Sequence, residues 1–162
     1  MEITKIDEGN YVIHQNVGGI KKKCSFIIPE IIAPFGVEVF NNVEYLNFAI
    51  DKDVPYHRQL LFDIERTEKY MENYLRRQGV DAEWLPALRK NDRFDVLWKT
   101  RLPKRRGRYE TQFRVDDKLG IKEDIDFKRA MSVTVTAYSI WVFKGKAGIV
   151  YSVDEINQSN TK

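Results

Sequence analysis

The sequence predicts a mostly β domain with a single interposed α-helix. Short segments in which apolar and polar residues alternate, as they do in half-buried strands, lie on both sides of one long stretch with helical periodicity. The chain has 162 residues, 43% of them hydrophobic and 31% charged, which is enough for one packed core and ordinary for a globular protein. We expect one domain over residues 1–156 and a flexible polar tail over residues 157–162.

The first part of the chain offers short strand candidates. Tyr11 to Gln15 and Cys24 to Ile28 are separated by a glycine pair and a lysine run, which we interpret as a solvated turn. Val37 to Phe40 and Glu44 to Phe48 flank Asn41-Asn42. Because asparagine tolerates the positive φ of a tight turn, this pattern predicts a β-hairpin.

One segment, Tyr56 to Gln78, has the periodicity of an amphipathic helix. Its apolar residues fall three or four positions apart and should face the core: Leu60, Leu61, Ile64, Met71, Tyr74 and Leu75. Pro55 before it and Gly79 after it are typical of a helix start and stop. This helix, over about residues 56–78, is longer than a connection between barrel strands needs, so its outer face is a candidate partner or homo-oligomer surface.

The second half begins with a predicted hairpin rich in basic residues. In the segment 94–102 the large apolar side chains, Trp98 among them, share one parity, which leaves Lys99 and Arg101 on the opposite face. Residues 109–115 repeat the alternation, and the loop Pro103 to Arg108 joins the two segments. We therefore expect a β-hairpin with a basic tip and a basic outer face.

The longest predicted strand is Met131 to Phe143. Its odd-numbered positions are mostly apolar, up to Trp141 and Phe143, and should face the core, whereas the even-numbered positions up to Tyr138 make a polar face. The sequence favours the core for Trp141, as for Trp98, but leaves stacking on a ligand open for both.

The last strand candidate, Ile149 to Val153, should pair back onto the long strand. Strands on both sides of one helix in a domain of this size predict a small OB-like barrel, closed or partly open. A β-sandwich is the alternative.

No catalytic constellation is recognisable, so we predict a protein that is not an enzyme and has no cofactor and no metal site. The two histidines, His14 and His57, lie in a predicted strand and at a helix start, where structural roles are more common. A single cysteine, Cys24, excludes an internal disulfide and a multi-cysteine zinc site. The acidic residues from Glu123 to Asp126 could hold Mg²⁺ in a nuclease-like site, but neighbouring lysines favour a solvated loop. A metal-dependent nuclease is the least favoured alternative.

Nothing in the sequence indicates secretion or membrane insertion. No stretch approaches the roughly 18 apolar residues that a membrane span needs, and Met1 to Glu8 lacks the basic start and apolar run of a signal peptide. A single cysteine also suits a reducing compartment. We expect an intracellular protein without membrane attachment.

Positive charge is concentrated in one segment, although the net charge is only +3. Between Val96 and Tyr109 six residues are basic and none is acidic. Proteins that hold single-stranded nucleic acid need cationic side chains along the phosphates and aromatic faces on which bases stack. The candidate nucleic-acid-binding residues are Lys99, Arg101, Lys104, Arg105, Arg106, Arg108, Tyr109, Arg114, Tyr138 and Tyr45. On pattern alone, a solubilising or protein-docking surface explains the basic hairpin equally well.

Two stretches of the chain resemble single-stranded DNA-binding proteins of large double-stranded DNA viruses. They are Pro34 to Asn42, continuing through Tyr45 to Asn47, and Ser139 to Phe143, followed by Gly148 to Val153. The resemblance implies an OB-fold-like architecture, similar to that of phage replication proteins of the same role, and non-catalytic coating of DNA strands in replication, recombination or repair. It further implies single-stranded DNA and replication proteins as partners, and the cytoplasm or nucleus of a host cell as the location.

The end of the chain departs from that family. Such proteins often carry an acidic C-terminal tail that recruits replication enzymes, whereas here only Asp154 and Glu155 precede a neutral-to-basic end. Recruitment through the tail is therefore not expected. The alternative function is that of a structural or interaction protein of a virion or complex, whose basic hairpin docks onto an acidic protein surface.

Overall fold

The computed structural model describes residues 1–7 and 9–160. It confirms the predicted class, a mostly β chain with one interposed α-helix. The strands are β1 (Glu2–Asp7), β2 (Asn10–Val17), β3 (Ile20–Lys22), β4 (Ser25–Ile31), β5 (Val37–Phe40), β6 (Val43–Ile50), β7 (Glu83–Trp84), β8 (Leu88–Lys90), β9 (Val96–Leu102), β10 (Lys104–Arg105), β11 (Arg108–Tyr109), β12 (Gln112–Val115), β13 (Lys118–Gly120), β14 (Met131–Phe143) and β15 (Lys146–Gln158). The helices are α1 (Pro55–Arg77) and a short 3-10 helix (Lys122–Asp124).

Thirteen strands form one curled sheet, whose main path follows the order β1-β2-β14-β15-β9-β6-β5, and β10 and β11 form a separate pair. Strand β4 pairs with β14. The Ala49 N–H donates to the Ile32 carbonyl at 2.9 Å, which brings the chain just after β4 beside β6. The sheet therefore curls toward closure without a continuous last ladder, and this partly open barrel is consistent with the OB-like architecture expected.

Helix α1 packs against β4, β6 and β15 and has bounds within one residue of those predicted. The buried positions of α1 are His57, Leu60, Ile64, Thr67, Glu68, Met71 and Leu75. Trp98 is fully buried beside Phe48 and Tyr151, which confirms its predicted core position. Over the described part of the chain, no helix is both long enough and apolar enough to span a membrane.

The predicted hairpin around Asn41-Asn42 is confirmed. Strands β5 and β6 pair in antiparallel register, and the two asparagines adopt φ values of 50° and 63°. These are the left-handed conformations that a two-residue hairpin turn requires.

The long hairpin of β14 and β15 contains a bulge that sequence periodicity does not reveal. Ala137 pairs with Tyr151, but Ser139 pairs with Val150, so Tyr138 is an extra residue in β14. A bulge of this kind reverses which side of the strand faces the core.

The predicted core positions near the end of β14 are consequently wrong. Beyond the bulge the even-numbered Ile140 is fully buried. Trp141 is half-buried on the outer face of the sheet, and Phe143 is 66% exposed. The bounds of the strand itself were predicted correctly.

The predicted pairing of residues 94–102 with residues 109–115 is wrong except at the tip. Strand β9 pairs with β6 and β8, whereas β12 pairs with β13 and, in parallel, with β15. The buried Thr111 hydroxyl donates to the Val153 carbonyl at 2.7 Å and holds the chain against β15. What remains is the short β10–β11 hairpin, which turns at Arg106 and Gly107 with φ values of 54° and 76°.

The polar end of the chain is more ordered than predicted. Strand β15 continues through Gln158, two residues beyond the boundary expected at residue 156. The buried Gln158 side-chain amide donates to the Asp126 carbonyl at 2.7 Å. Residues 157 and 158 are therefore part of the sheet, while Thr161 and Lys162 of the predicted tail lie outside the described residues.

Candidate nucleic-acid interface

Two adjoining grooves lie on the outer face formed by β6, β9, β15 and β14. The first, which we call the polar groove, has a volume of about 520 Å³. Arg101 and Lys104 border it on the side of β9 and the hairpin, Tyr138 borders it on the side of β14, and Ser152 and Asp154 of β15 lie between.

The second groove, which we call the aromatic groove, has a volume of about 360 Å³. It is lined by Tyr45 of β6, by Lys99 and Arg101 of β9, and by Trp141 of β14. Because Arg101 lines both grooves, the two form one surface across the sheet.

Arg101 is half-buried where the two grooves meet. Its Nε is buried and has no hydrogen-bond partner in the described part of the chain. A buried, unpaired donor on a charged group is costly. A small rotation of the side chain toward a ligand oxygen in either groove would offset this cost.

Lys99 and Tyr45 form a cationic and aromatic pair in the second groove. The Lys99 Nζ lies 4.3 Å from the centre of the Tyr45 ring. No carboxylate within the described ranges pairs with Lys99, so its charge remains available to a phosphate. Both residues were predicted as binding candidates, and the structure brings them together with Arg101.

Trp141, for which the sequence favoured the core but left stacking open, lines the aromatic groove. Its indole lies over β15 at Gly148, where an added Cβ would come within 3.0 Å of the Trp141 Nε1. Glycine at this position therefore lets the ring lie close to the sheet. The signal available in the sequence was Gly148, which pairs with Trp141 across the two strands. Strict alternation along β14, which does not allow for the bulge at Tyr138, places the Trp141 side chain on the inner face.

The three arginines Arg105, Arg106 and Arg108 form the tip of the β10–β11 hairpin and are exposed. Among the residues the structure describes, none of their guanidinium groups has an acidic partner. The tip extends from the hairpin base, where Lys104 borders the polar groove. Within the described residues, therefore, no carboxylate neutralises the positive charge of the tip.

The hairpin base is, by contrast, a closed polar network around Glu44. The Lys104 Nζ lies 2.5 Å and the Lys122 Nζ 3.6 Å from the Glu44 carboxylate, and the Tyr109 hydroxyl donates to it at 2.6 Å. Burial acts to raise the pKa of Glu44, but the hydrogen bonds from Lys104 and Tyr109 and the charge of Lys122 hold that pKa below its usual value.

Tyr109 is consequently a poor stacking platform. Its ring makes a T-shaped contact with Phe113, with the ring centres 5.4 Å apart. The ammonium groups of Lys104 and Lys122 lie 4.6 and 5.3 Å from its centre. A base would have to displace these lysines to reach the ring.

The remaining predicted residues lie in different surroundings. Tyr138 is 50% exposed at the bulge and lines the polar groove. Arg114 on β12 is paired with Glu155 at 2.7 Å and donates to the Asp117 carbonyl. The structure therefore leaves the Tyr138 ring open and the Arg114 charge neutralised.

The alternative catalytic residues have structural partners. His57 Nδ1 accepts from the Asp51 N–H at 3.0 Å, and its Nε2 donates to the Glu30 carbonyl at 2.7 Å. Asp124 accepts from the Ile121 N–H at 2.9 Å. Within residues 1–7 and 9–160, no three His, Cys, Asp or Glu side chains are grouped to hold a metal ion.

Comparison with solved structures shows a likeness in fold. No protein-family model matches the chain, and no significant match is found among curated proteins. The crystal structure of gp2.5, a single-stranded DNA-binding protein encoded by bacteriophage T7, is similar with a TM-score of 0.54 and 12% sequence identity, over 85% of this chain and 86% of that chain. At this identity the likeness shows a shared fold.

Proposed function

We propose that this chain binds single-stranded DNA without catalysis and coats exposed strands during replication, recombination or repair. The observation that carries the proposal is the outer sheet face, where cations that have no acidic partner among the described residues lie beside accessible aromatic rings. Lys99 and Arg101 are those cations, and Tyr45, Trp141 and Tyr138 are the rings. This is the combination that sequence-tolerant single-strand binding requires.

The shared fold with the T7 single-stranded DNA-binding protein supports the same proposal. In the proposed complex the strand crosses β9 at Arg101, bases stack on Trp141 and Tyr138, and the hairpin arginines follow the phosphates. A viral origin and a location in a host cell are implied by the sequence resemblance and remain predictions.

Fluorescence anisotropy tests the proposal directly. A labelled oligo-dT of about 30 nucleotides and the matching duplex are titrated without metal at about 50 and 200 mM salt. We expect tighter binding to the single strand and a clear loss of affinity at the higher salt. Failure of the single strand to bind even at low salt would reject the proposal and favour the protein-docking alternative.

We also propose that the outer face of α1 contacts a second copy of the chain. Phe62, Arg66 and Tyr70 are four residues apart on one stripe, and Phe62 and Tyr70 are 56% and 39% exposed. Light scattering should show an oligomer that Phe62→Glu dissociates, with Lys118→Glu, an exposed charge reversal on β13, as the control. A monomeric wild type would reject this part of the proposal.

A further inference from the structure

The polar groove holds acceptor groups that the proposed phosphate contacts do not use. Four carboxylates line it, those of Glu44, Glu110, Asp154 and Glu155. A groove built only to hold a DNA backbone would not be lined this way, because carboxylates repel phosphates.

Three of these carboxylates are in ion pairs, but one of the three, Asp154, and the fourth, Glu110, retain free acceptor positions. Glu44 and Glu155 are held in ion pairs at 2.5 and 2.7 Å. Asp154 accepts a hydrogen bond from the Thr136 hydroxyl, and its other oxygen forms an ion pair with the Lys23 Nζ at 3.8 Å, a separation too long for a hydrogen bond, so that oxygen can still accept one. Glu110 is exposed, and its carboxylate has no partner among the described residues.

The charges around the groove separate phosphates from bases. Arg101 lies at its boundary with the aromatic groove, and the hairpin arginines extend beyond it, so phosphates are attracted to its rim. Glu110, and Asp154 to the extent that its loose ion pair with Lys23 leaves its charge uncompensated, repel them from its interior. A strand held by the rim would therefore place a base in the groove, beside the exposed Tyr138 ring.

We propose that the polar groove is a base-edge subsite that prefers bases carrying an exocyclic amino group, cytosine above all. Carboxylates accept hydrogen bonds from the N4 amino group of cytosine. Thymine and uracil present a carbonyl oxygen at the same ring position. That oxygen and a carboxylate are both acceptors, so they would repel each other instead of forming a hydrogen bond. This inference rests on the proposed single-strand binding and adds base selectivity to it.

Oligo-dC and oligo-dU of about 12 nucleotides are the decisive pair of ligands. The two bases are of the same size and differ in the groups at positions 3 and 4 of the ring. At about pH 8 we expect about tenfold tighter binding of oligo-dC. Binding of both with equal affinity overturns the subsite and leaves the proposed function intact, whereas binding of neither overturns both.

Two variants assign the preference to this groove. Glu110→Gln and Asp154→Asn keep the shape and an accepting oxygen but remove the charge and add a donor, so the dC-to-dU ratio should fall toward one, mainly through tighter dU binding. Glu65→Gln, an exposed carboxylate on α1, is the control and should leave the ratio unchanged. Because Glu110 is exposed, its variant should fold even if Asp154→Asn does not. A tenfold ratio that persists in folded Glu110→Gln and Asp154→Asn variants places the selectivity elsewhere and overturns the assignment.

Discussion

The tip and the base of the β10–β11 hairpin both carry positive charges, but those at the base are held in ion pairs and those at the tip are not. Arg105, Arg106 and Arg108 at the tip are exposed and lack acidic partners within the described chain. Lys104 at the base shares Glu44 with Lys122. A phosphate would compete with Glu44 for the base lysines but meets no competitor at the tip. The number of basic residues in a segment is therefore a poor measure of the charge that a ligand can use.

The aromatic residues divide in the same way. Trp141 lines a groove and has one face over the sheet, whereas the Tyr109 ring lies beneath two lysines and in a T-shaped contact with Phe113. We expect the open residues to determine binding and the closed network to determine the stability of the hairpin.

The largest expected effect is that of reversing the tip. The triple variant Arg105→Glu, Arg106→Glu, Arg108→Glu should lose about 100-fold in affinity for oligo-dT at about 50 mM salt. The slope of log K against log salt should become shallower by about two, because three phosphate contacts and their released counterions are lost. Anisotropy titrations over a salt series measure both.

The control reverses three exposed cations that line neither groove, Lys52, Lys90 and Lys128. It changes the net charge by the same amount, so an equal loss of affinity would mean that the chain binds through its overall charge. An unchanged affinity in the folded tip variant would instead remove the tip from the site.

The aromatic comparison should give the next largest effect. Trp141→Ala should weaken binding by about 1–3 kcal/mol, the range for loss of one stacked base, and Trp141→Phe should recover most of it. Tyr109→Phe keeps a covered ring and should change affinity less than about twofold. Similar losses for Trp141→Ala and Tyr109→Phe would contradict the division into open and covered rings.

The paired lysines should contribute little to binding. Lys104→Met should change oligo-dT affinity by less than about threefold, since the charge is already shared with Glu44. Glu44→Gln should steepen the salt dependence, because it releases Lys104 and Lys122 to contact phosphate. A shallower slope in the Glu44→Gln variant would show that the network holds the hairpin in its binding position.

Local patterns in the sequence were enough to predict most helices and strands. They did not predict which cations are ion-paired or which aromatic rings are covered. The asparagine turn, the bounds of β14 and the periodicity of α1 depend on nearby residues, and these predictions are confirmed. The outward position of Trp141 depends on a bulge, and the covering of Tyr109 depends on Glu44, which lies 65 residues away in the sequence. Neither has a local signature, so periodicity assigned Trp141 to the core and left Tyr109 in the site.

The smallest expected effects are on stability. The contributions of Glu44 and Glu68 to the free energy of unfolding should change with pH in opposite directions. Because the pKa of Glu44 is lowered in the folded chain, its stabilising contribution is present above the ordinary carboxyl pKa and is lost as pH falls through the folded value. Burial raises the pKa of Glu68, although it accepts hydrogen bonds from Tyr151, Ala87 and Trp84. The contribution of Glu68 is therefore present below the ordinary carboxyl pKa and is lost as pH rises through the folded value.

Urea unfolding from about pH 3 to pH 8 separates the two. Glu44→Gln should flatten the loss of stability on the acidic side of the profile. Glu68→Gln should flatten the loss on the side toward neutral pH, since a glutamine can still accept from Trp84 and Ala87 and can donate to the Tyr151 oxygen. If both variants altered the same limb of the profile, the contrast between the ion-paired Glu44 and the desolvated Glu68 would be wrong.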